Sequence, residues 1–339
     1  MTVTVVVTGA TGSFGSAFIP YLLEKTNYDI VGISRNETLQ GLLAAAVNSD
    51  RLRLIPCDIR DTQGLERALW RHGADWVVHA AALKRVPNSY EHAQEYADVN
   101  INGTASLLEV TRRLGSNRLL YISSDKACDA HNPYGATKRV AEALVLAANE
   151  AAYTWWDLAS DESKFTLDKV DEWCPAFAAS VVRGGNVWDS GGSVMQLWRR
   201  QAGAGEPITV TDPTATRFHL PMGYWCEFVL HWLRRMAPGQ TYVPRLRAYH
   251  MGELAHAFLA TAKVGSYVRV VGPRRGDKRH EYLVSPSEAI YTEAWEHEYV
   301  IHQELPQPWG WKNHPTGGVR SVDAKMLTAD ELSALVRSH

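Results

Sequence analysis

Two short blocks of the chain carry side chains that can move protons. Ser123-Ser-Asp-Lys126 follows the apolar run Leu119–Ile122, and Tyr134 and Lys138 open the segment after Asn132-Pro133. A spacing of four residues places Tyr134 and Lys138 on one face of a helix, one turn apart. A phenol, with a reference pKa of about 10, is a poor base at neutral pH unless a neighbouring ammonium stabilises its phenolate. The pair therefore predicts a site that takes a proton from an alcohol while hydride leaves the carbon; a surface lysine over a half-buried tyrosine is the alternative.

A glycine-rich turn follows the first β-branched run, Thr2–Thr8, and a helical pattern follows the turn over Ser16–Lys25. Strand, glycine turn and helix form the context that a dinucleotide fingerprint requires, because amides at a helix N-terminus face a pyrophosphate. The glycine spacing is G-x-x-G-x-x-G rather than G-x-G-x-x-G, and a tight turn without a ligand is the competing interpretation. The residues expected to contact the dinucleotide here are Gly9, Thr11, Gly12, Ser13, Phe14 and Gly15.

The end of the second predicted strand, Ile30–Ser34, indicates which dinucleotide is bound. An NAD site places a carboxylate at this strand end for the ribose 2′-hydroxyl, whereas an arginine suits the 2′-phosphate of NADP. Asp29 lies before the strand and is poorly placed for the ribose. We therefore expect NADP rather than NAD, in contact with Ser34, Arg35 and Asn36, although a solvated surface Arg35 also fits the pattern.

Two further strands end in residues suited to the same cofactor. Leu52–Pro56 precedes Asp58 and Ile59; Asp58 is placed to meet an adenine amino group, or to cap a helix. The strand Asp75–His79 runs into small residues that let a cofactor lie close to the backbone, Ala80, Ala81 and Ala82.

The order of these elements predicts the fold class. A long helical stretch, about Ser89–Leu114, contains Asn100, which we expect to orient Tyr134 through water or backbone contacts. Alternating strands and helices predict an α/β, Rossmann-type, doubly wound parallel sheet with ligands at the carboxyl ends of its strands. The helix Ala136–Ala152 ends this rhythm, and 153–177 is interpreted as an insertion, a flap over the site or an oligomer contact.

The rest of the chain has short elements in sequence rich in Gly, Pro and Trp. We predict an NADP-binding Rossmann domain over 1–178 and, over 179–339, a smaller C-terminal substrate-binding lobe that is partly interleaved with the Rossmann sheet. The elements expected in this lobe are the strands Ala179–Arg183, Ile208–Thr211 and Tyr267–Val271, and the helices Gly223–Met236, Gly252–Ala262 and Thr328–Val336.

Bulk composition excludes several classes of protein. With 339 residues, 45% of them hydrophobic, the chain can bury a sizeable core. A formal net charge of −2 argues against nucleic acid as the main partner, and the basic cluster at 274–279 suits one diphosphate better than a polymer. The four cysteines show no metal-binding spacing, which predicts no metal and a reducing cytoplasm. No apolar run approaches the roughly 18 residues that span a bilayer, so no membrane association is expected.

A series of sequence blocks, taken in order, resembles a known family. The blocks are Gly12–Gly15, Ala81–Pro87, Ser124–Ala127, Asn132–Arg139, Val182–Val187, Gly192–Val194, Thr209–Pro213, Thr216–Phe218, Gly276–Lys278 and His280-Glu281. With these blocks the chain resembles the extended short-chain dehydrogenase/reductases of polysaccharide biosynthesis, specifically the inverting UDP-N-acetylglucosamine 4,6-dehydratases. The resemblance implies an enzyme that oxidises C4 of the sugar, eliminates water across C5 and C6, and returns hydride to C6 with inversion at C5.

The resemblance also implies roles for individual residues. Tyr134 takes the O4 proton, with Lys138 lowering its pKa. Lys126 is the candidate base at C5 and Asp125 the candidate acid for the leaving 6-hydroxyl, which requires a neutral Lys126 at least transiently; coupled groups can exchange protons, so this division stays open. A structural salt bridge between the two is the alternative. The implied substrate contacts are Lys84, Ser124, Asn186, Val187, Arg217, Arg274 for the diphosphate and Asp277 for the uridine ribose.

Departures from the family pattern concern the sugar pocket. Gly184 stands where the family usually has Tyr, and Gly191 where it usually has Arg, so the sugar could differ from N-acetylglucosamine. A sugar-nucleotide 4-epimerase, or a dehydratase that stops at a 5,6-ene, is the alternative activity, and a dinucleotide-sensing scaffold is the non-enzymatic one. The resemblance further implies a homo-oligomer acting on a UDP-hexosamine.

Overall fold

The computed structural model describes residues 2–149, 177–262, 266–305 and 313–338. The sequence-predicted insertion at 153–177 lies, apart from Phe177, outside these ranges. The strands are β1 Thr4–Thr8, β2 Asp29–Ser34, β3 Leu52–Pro56, β4 Trp76–His79, β5 Arg118–Ser124, β6 Ala178–Gly184, β7 Asn186–Val187, β8 Ile208–Val210, β9 Thr216–Leu220, β10 Thr241–Pro244, β11 Arg247–His250, β12 Val268–Val270, β13 Tyr282–Val284, β14 Thr292–Ala294, β15 Glu298–Ile301 and β16 Val319–Arg320.

The described helices cover both faces of a central sheet. They are α1 Gly15–Lys25, α2 Glu37–Val47, α3 Thr62–His72, α4 Val86–Glu91, α5 Ala93–Ala97, α6 Gly103–Arg113, α7 Pro133–Ala147, α8 Val194–Gly203, α9 Met222–Arg235, α10 Met251–Ala262 and α11 Ala329–Arg337, with a π-helical turn at Asp98–Asn102 and a 3₁₀ turn at Ala289–Tyr291.

The central sheet has nine strands in the order β14-β15-β10-β6-β5-β4-β1-β2-β3. All pairs from β3 to β10 are parallel, and β15 runs antiparallel to its two neighbours. Val5, Val6 and Val7 of β1 are fully buried, as expected for a parallel strand that is covered by helices on both faces. The predicted Rossmann-type α/β fold is confirmed.

Strands from the second half of the chain complete this sheet. β10, β14 and β15 extend it beyond β6, while the smaller sheets β7–β9–β11, β8–β12 and β13–β16 lie outside it. Trp198 of α8, Phe258 of α10 and Leu332 of α11 belong to a separate hydrophobic cluster. Strands from the second half of the chain therefore pair within the central sheet. The domain boundary at residue 178 stays a prediction.

The stretch Ser89–Leu114, predicted to be helical, is covered by α4, α5, the π-helical turn and α6. The π-helical turn contains Asn100, whose side chain binds both backbone groups of Leu83: the Leu83 N–H donates to Oδ1 at 2.8 Å and Nδ2 donates to the Leu83 carbonyl at 3.0 Å. A π-turn at such a point is typical of a functional constraint on a helix. The predicted helical stretch is therefore present, with a π-helical turn at Asn100.

A buried ion cluster joins α7 to the C-terminal part of the chain. Arg183 on β6 is 1% exposed and donates to Glu142 of α7 and to Glu288. The Arg183 guanidinium also donates to the Leu283 carbonyl at 2.9 Å. Arg139, half exposed, pairs with the same two carboxylates from the surface side. Burial alone would raise the pKa of Glu288, but Arg183 holds it well below its usual value.

We predict that Arg183→Met destabilises the fold much more than Arg139→Met. Removing Arg183 leaves Glu142 and Glu288 buried without their main partner, which costs about 3–5 kcal/mol, whereas an exposed arginine contributes about 0–1 kcal/mol. Chemical denaturation at pH 7 measures the difference. Equal destabilisation by the two variants would contradict this account.

The same cluster should make the stability of the wild-type protein depend on pH. Because the pKa of Glu288 is depressed in the fold, the stabilisation by Glu288 is present above the ordinary glutamate pKa and is lost as the pH falls further.

Candidate active site

Local sequence signals position Tyr134 and Lys138 on α7. Asn132 caps the helix by accepting a hydrogen bond from the Gly135 N–H at 2.9 Å, and Pro133 occupies its first turn, where a missing N–H costs nothing. Tyr134 and Lys138 are both buried on the face of α7 turned toward the sheet. The predicted spacing therefore places both side chains at the carboxyl end of β5.

The turn after β5 carries the second pair of candidate groups. Asp125 is fully buried and its Oδ1 accepts from Ser124 Oγ at 2.8 Å and from Lys126 Nζ at 2.9 Å. A Cβ on Gly135 would overlap the carbonyl oxygen of Lys126, so only glycine lets α7 approach this turn so closely. Asp125 Oδ2 is buried and accepts no hydrogen bond from any described residue. One carboxylate oxygen thus has no partner among the described residues, although the residue lines the cleft.

Lys126 lies among several polar groups rather than beside Asp125 alone. Its Nζ is 3.1 Å from Asn186 Oδ1 and 3.3 Å from Glu281 Oε1. Burial lowers the pKa of Lys126, but Asp125 and Glu281 outweigh it and raise that pKa above its usual value. The surroundings in the ligand-free chain therefore favour the charged form of Lys126, and the transient neutral form that elimination requires stays a prediction.

The cation that lowers the pKa of Tyr134 also differs from the one expected. Burial raises the pKa of Tyr134 to about 12, and Lys126 and a hydrogen bond with Ser124 oppose this increase. Lys138 Nζ donates to the Ile122 carbonyl at 2.6 Å and lies 4.0 Å from the centre of the Tyr121 ring. Burial lowers the pKa of Lys138 to about 7. In the ligand-free chain the cation that most lowers the Tyr134 pKa is therefore Lys126, not Lys138.

The glycine turn fits a dinucleotide. Gly9 has a φ of +70°, and a Cβ there would lie 2.8 Å from the Ala81 nitrogen and 2.9 Å from the Ala80 carbonyl carbon. Thr8 Oγ1 accepts from the N–H groups of Ala80 and Ala81 at 3.2 Å each, which holds the ends of β1 and β4 together. The turn leads directly into the N-terminus of α1, whose amides favour an anion. The predicted dinucleotide contacts that line the cleft are Gly9, Gly12, Ser13, Phe14, Gly15, Ala80 and Ala82.

The residues predicted after β2 already make contacts within the chain. Asn36 caps α2 by accepting from the Leu39 N–H at 2.9 Å, and Ser34 Oγ accepts from Gln40 Nε2 at 3.0 Å. Arg35 is half exposed, with its Nη1 3.8 Å from Asp58 Oδ2. Asn36 and Ser34 thus order this strand end, while the Arg35 guanidinium is accessible to a ligand.

Asp58 does not cap a helix. Arg60 donates to both Asp58 oxygens at 2.9 and 2.7 Å, and this hydrogen bonding lowers the Asp58 pKa. Asp61 caps α3 instead. Ile59 is buried and would touch a Cβ on Gly103. Thr11, Ser34, Arg35, Asn36, Asp58, Ile59, Ala81 and Asn100 lie outside the lining of the main cleft.

Asn100 acts on the site through the backbone. Besides its two bonds to Leu83, its Nδ2 donates to Thr137 Oγ1 at 3.0 Å, and Thr137 Oγ1 donates to the Tyr134 carbonyl at 2.8 Å. The expectation that Asn100 influences Tyr134 by backbone contacts therefore has a direct route in the structure. Lys84, the next residue after Leu83, donates to Ser13 Oγ at 3.2 Å, and burial lowers its pKa.

One cleft of about 960 Å³ connects the glycine turn, the β5 turn and the C-terminal segments. Such a volume falls within the range of small-molecule sites. The four predicted catalytic residues and all predicted substrate contacts line it: Asp125, Lys126, Tyr134, Lys138, Lys84, Ser124, Asn186, Val187, Arg217, Arg274 and Asp277. The structure thus brings together residues that lie more than a hundred positions apart in the sequence.

The basic cluster at 274–279 does not form one phosphate site. Lys278 is buried and donates to the carbonyls of Cys128 at 2.8 Å and Asp129 at 3.1 Å. Arg279 pairs with Asp212, and Arg275 lies over the Tyr90 ring. Arg274 alone of these arginines lines the cleft. The expected contact of Arg274 with the diphosphate stays a prediction.

Two predicted substrate contacts are partly occupied by their own loops. Asp277 Oδ2 accepts from the Arg274 N–H at 3.0 Å, which closes the turn that carries both residues. Arg217 donates to the carbonyls of Thr216 at 2.7 Å and Arg279 at 3.1 Å. These contacts hold Arg217 and the 274–277 turn in place at the edge of the cleft.

Glu281 and Lys278 were not among the predicted site residues. Glu281 is 3% exposed, lines the cleft and pairs with both Lys126 and Lys278. Both residues belong to sequence blocks that resemble the family, Gly276–Lys278 and His280-Glu281, but no role was assigned to them, and a spacing of three is one that any surface helix or turn can carry. Nothing in that spacing indicates contact with Lys126 more than 150 positions earlier.

Similarity to known proteins identifies the family. The family described as polysaccharide biosynthesis protein matches residues 5–303. The chain belongs to this family. Within it, the inverting UDP-N-acetylglucosamine 4,6-dehydratase of Campylobacter jejuni (strain 81-176) is 31% identical over 305 residues, covering 89% of this chain and 83% of the relative. The resemblance inferred from the sequence blocks is confirmed.

Two further comparisons define how far this similarity extends. The UDP-glucose 4-epimerase of Rickettsia rickettsii is 30% identical over 302 residues, covering 88% of this chain and 82% of the relative. The crystal structure of Pen from Bacillus thuringiensis superposes with a TM-score of 0.85 at 24% identity, covering 99% of this chain and 97% of that one. The fold of that structure therefore extends over nearly the whole chain.

Proposed function

We propose that the protein is a UDP-sugar 4,6-dehydratase that converts UDP-N-acetylglucosamine, or a close UDP-hexosamine, to a 4-keto-6-deoxy sugar with inversion at C5. The observation that carries this proposal is the adjacency of two proton-transfer pairs in one cleft. Tyr134 and Lys138 suit oxidation of an alcohol, and Asp125 and Lys126 suit elimination of water. The similarity to the C. jejuni enzyme supports the same reaction.

The first pair removes the O4 proton. Tyr134 is buried at the carboxyl end of β5, and burial raises its pKa and favours the neutral phenol. Tyr134 can act as a base only as the phenolate, which forms when nearby positive charge offsets this effect of burial. A bound nicotinamide dinucleotide would supply the hydride acceptor and its positive charge. Lys138, with a pKa of about 7, can lose or hold a proton at neutral pH. It is therefore suited to receive or relay the proton that Tyr134 takes.

The second pair eliminates water. Lys126 Nζ and Asp125 Oδ1 are 2.9 Å apart, so one proton moving from the ammonium to the carboxylate gives a neutral amine and a carboxylic acid without changing the net charge. The amine can then take the C5 proton, which the 4-ketone has made acidic, and the acid can protonate the departing 6-hydroxyl. The ion pair of the ligand-free chain is thus one proton transfer away from the base and acid that the reaction requires.

The substrate contacts remain part of the proposal. Arg274 is placed to bind the diphosphate through its planar, two-pronged guanidinium, and Asp277 the uridine ribose. Lys84, Asn186 and Arg217 are placed near the sugar, with Ser124 and Val187 beside them. The cytoplasmic location and the homo-oligomer expected from the sequence stay predictions. Within the described ranges, no helix is long and apolar enough to cross a membrane.

We further propose that the cofactor is NADP rather than NAD. The half-exposed Arg35 stands at the end of β2, where a ribose 2′-phosphate would lie. The carboxylate nearest to it, Asp58, is engaged by Arg60. A carboxylate that is already paired is a weaker acceptor for a ribose 2′-hydroxyl, which supports NADP.

The second candidate function is a UDP-sugar 4-epimerase, which the similarity to the R. rickettsii enzyme supports. An epimerase needs Tyr134 and Lys138 but not a buried Asp125–Lys126 pair. A dinucleotide-sensing scaffold would need neither pair. Because both pairs are present and line one cleft, the dehydratase accounts for more of the structure than either alternative.

We predict that the purified protein converts UDP-N-acetylglucosamine, or another UDP-hexosamine, to a product lighter by one water, without net consumption of NADP. Tyr134→Phe should lower the rate about 10²–10⁴-fold, because the O4 proton loses its acceptor. Tyr242→Phe, which removes a buried hydroxyl outside the cleft, should leave the rate nearly unchanged. Mass spectrometry of the nucleotide sugars measures all three. An isomer of unchanged mass as sole product would favour the epimerase.

We predict that Arg35→Ala raises the concentration of NADP needed for half-maximal activity about 10–150-fold, because a charge-assisted hydrogen bond contributes about 1.5–3 kcal/mol. The requirement for NAD should change little. Arg60→Ala is a comparison of opposite kind, because it frees the Asp58 carboxylate for a ribose 2′-hydroxyl and should lower the concentration of NAD required. Titration of dinucleotide-depleted protein with each cofactor measures this. An equal effect of Arg35→Ala on NADP and NAD would count against NADP preference.

A further inference from the structure

Glu281 is a buried carboxylate that neither catalytic pair includes. It lies just before β13, is 3% exposed and lines the cleft. Its Oε1 is 3.3 Å from Lys126 Nζ and 3.8 Å from Arg217 Nε, and its Oε2 is 3.0 Å from Lys278 Nζ. The Glu281 backbone is fixed as well, because its N–H donates to Ser321 Oγ at 2.9 Å. A carboxylate held this firmly cannot move away from Lys126 without breaking several contacts.

The surroundings of Lys126 explain why a second carboxylate matters. A buried ammonium is unstable unless it is paired, and the Lys126 side chain is only 19% exposed. The groups that face Lys126 come from several elements: Asp125 from its own turn, Tyr134 from α7, Asn186 from β7, Arg217 from β9, Tyr249 from β11, and Glu281.

Glu281 faces more positive charges than Lys126 alone. Arg217 and Lys278 are cations that also face Glu281, so the Glu281 carboxylate offsets more than one positive charge. Asp125 and Glu281 together raise the pKa of Lys126, and the neighbouring Arg217 opposes them. Burial raises the pKa of Glu281, but the three cations outweigh it and lower that pKa to about 2. At neutral pH Glu281 is therefore an anion, and Lys126 a cation.

We propose that Glu281 is a positioning residue of the active site, which holds the Lys126 amine toward the cleft and keeps it charged until it passes a proton to Asp125. The proposal rests on the proposed function, since it assigns Glu281 a task in the elimination step. Glu281 touches neither reacting group of the sugar in this account. It acts only through Lys126. The C-terminal segment that carries Glu281 thereby influences the protonation of Lys126 in the turn after β5.

Lys278 supplies a matched comparison. It contacts Glu281 and holds the carbonyls of Cys128 and Asp129 in the turn after Lys126. Lys278→Met therefore loosens the same site as Glu281→Gln but removes a cation instead of an anion. If Glu281 acts by its charge, the two variants must change the ionisation of Lys126 in different directions. If both act only by loosening the site, they must change it in the same direction.

The test is the rate of Lys126 acetylation by acetic anhydride at about pH 8 in the full-length protein, followed by mass spectrometry of the Lys126 peptide. Only the neutral amine reacts, and this pH lies below the Lys126 pKa, so the rate rises about tenfold for each unit by which that pKa falls. Glu281→Gln should therefore speed labelling about 10–1000-fold, the effect of losing an opposite charge at contact distance. Lys278→Met, which removes a cation from the other side of Glu281, should slow it. Faster labelling in both variants, or an unchanged rate in Glu281→Gln, would overturn the proposal.

A kinetic measurement separates this inference from the proposed function. In a wild-type protein that dehydrates a UDP-hexosamine, Glu281→Gln should lower kcat at least tenfold while KM changes less, because Lys126 is misplaced rather than the substrate. If Glu281→Gln does not fold, Lys278→Met alone decides, since faster labelling of Lys126 there contradicts a charge role. If wild type dehydrates no UDP-hexosamine, the proposed function fails, whereas the labelling result still tests whether Glu281 keeps Lys126 charged.

Discussion

The ammonium of Lys126 is the group on which the rest of the site depends. Asp125 reaches it from the adjacent position and Glu281 from the C-terminal part of the chain, at 2.9 and 3.3 Å. A buried cation requires such partners, so the site is complete only when the segment carrying Glu281 has packed against the Rossmann sheet. The second half of the chain therefore contributes directly to the surroundings of the proposed elimination pair.

Contacts to the backbone fix the positions of the side chains in this site. Gly135 lets α7 pack directly on the Lys126 carbonyl, and Asn132 fixes the first turn of the same helix. Asn100 links the Leu83 backbone to Thr137 on α7, so the segment leading to Lys84 and the helix carrying Tyr134 move together. Side chains supported in this way hold the geometry that proton transfer needs. The site is thus built on the ends of regular elements rather than on free loops.

Local patterns were enough to predict the elements that follow one another in the chain. The alternation of β1 to β5 with helices, the glycine turn and the Tyr134–Lys138 spacing depend on neighbours in sequence, and the structure contains all of them. Long-range pairings could not be predicted: the antiparallel strand β15, the contact of Glu281 with Lys126, and the inward turn of Lys278 away from a phosphate site. The π-helical turn at Asn100 was not predicted, because helical periodicity does not reveal a side chain that binds a distant backbone.

The central claim is that one cleft oxidises C4 and eliminates water with inversion at C5. The most direct measurement is the proton NMR spectrum of UDP-N-acetylglucosamine, or the hexosamine that proves to be the substrate, after turnover in deuterated water. The account predicts a new C6 methyl signal, deuterium in place of the C5 hydrogen and the inverted configuration at C5. A product that keeps its C6 hydroxymethyl group and its C5 hydrogen would contradict the roles of Asp125 and Lys126 and leave only an epimerase site.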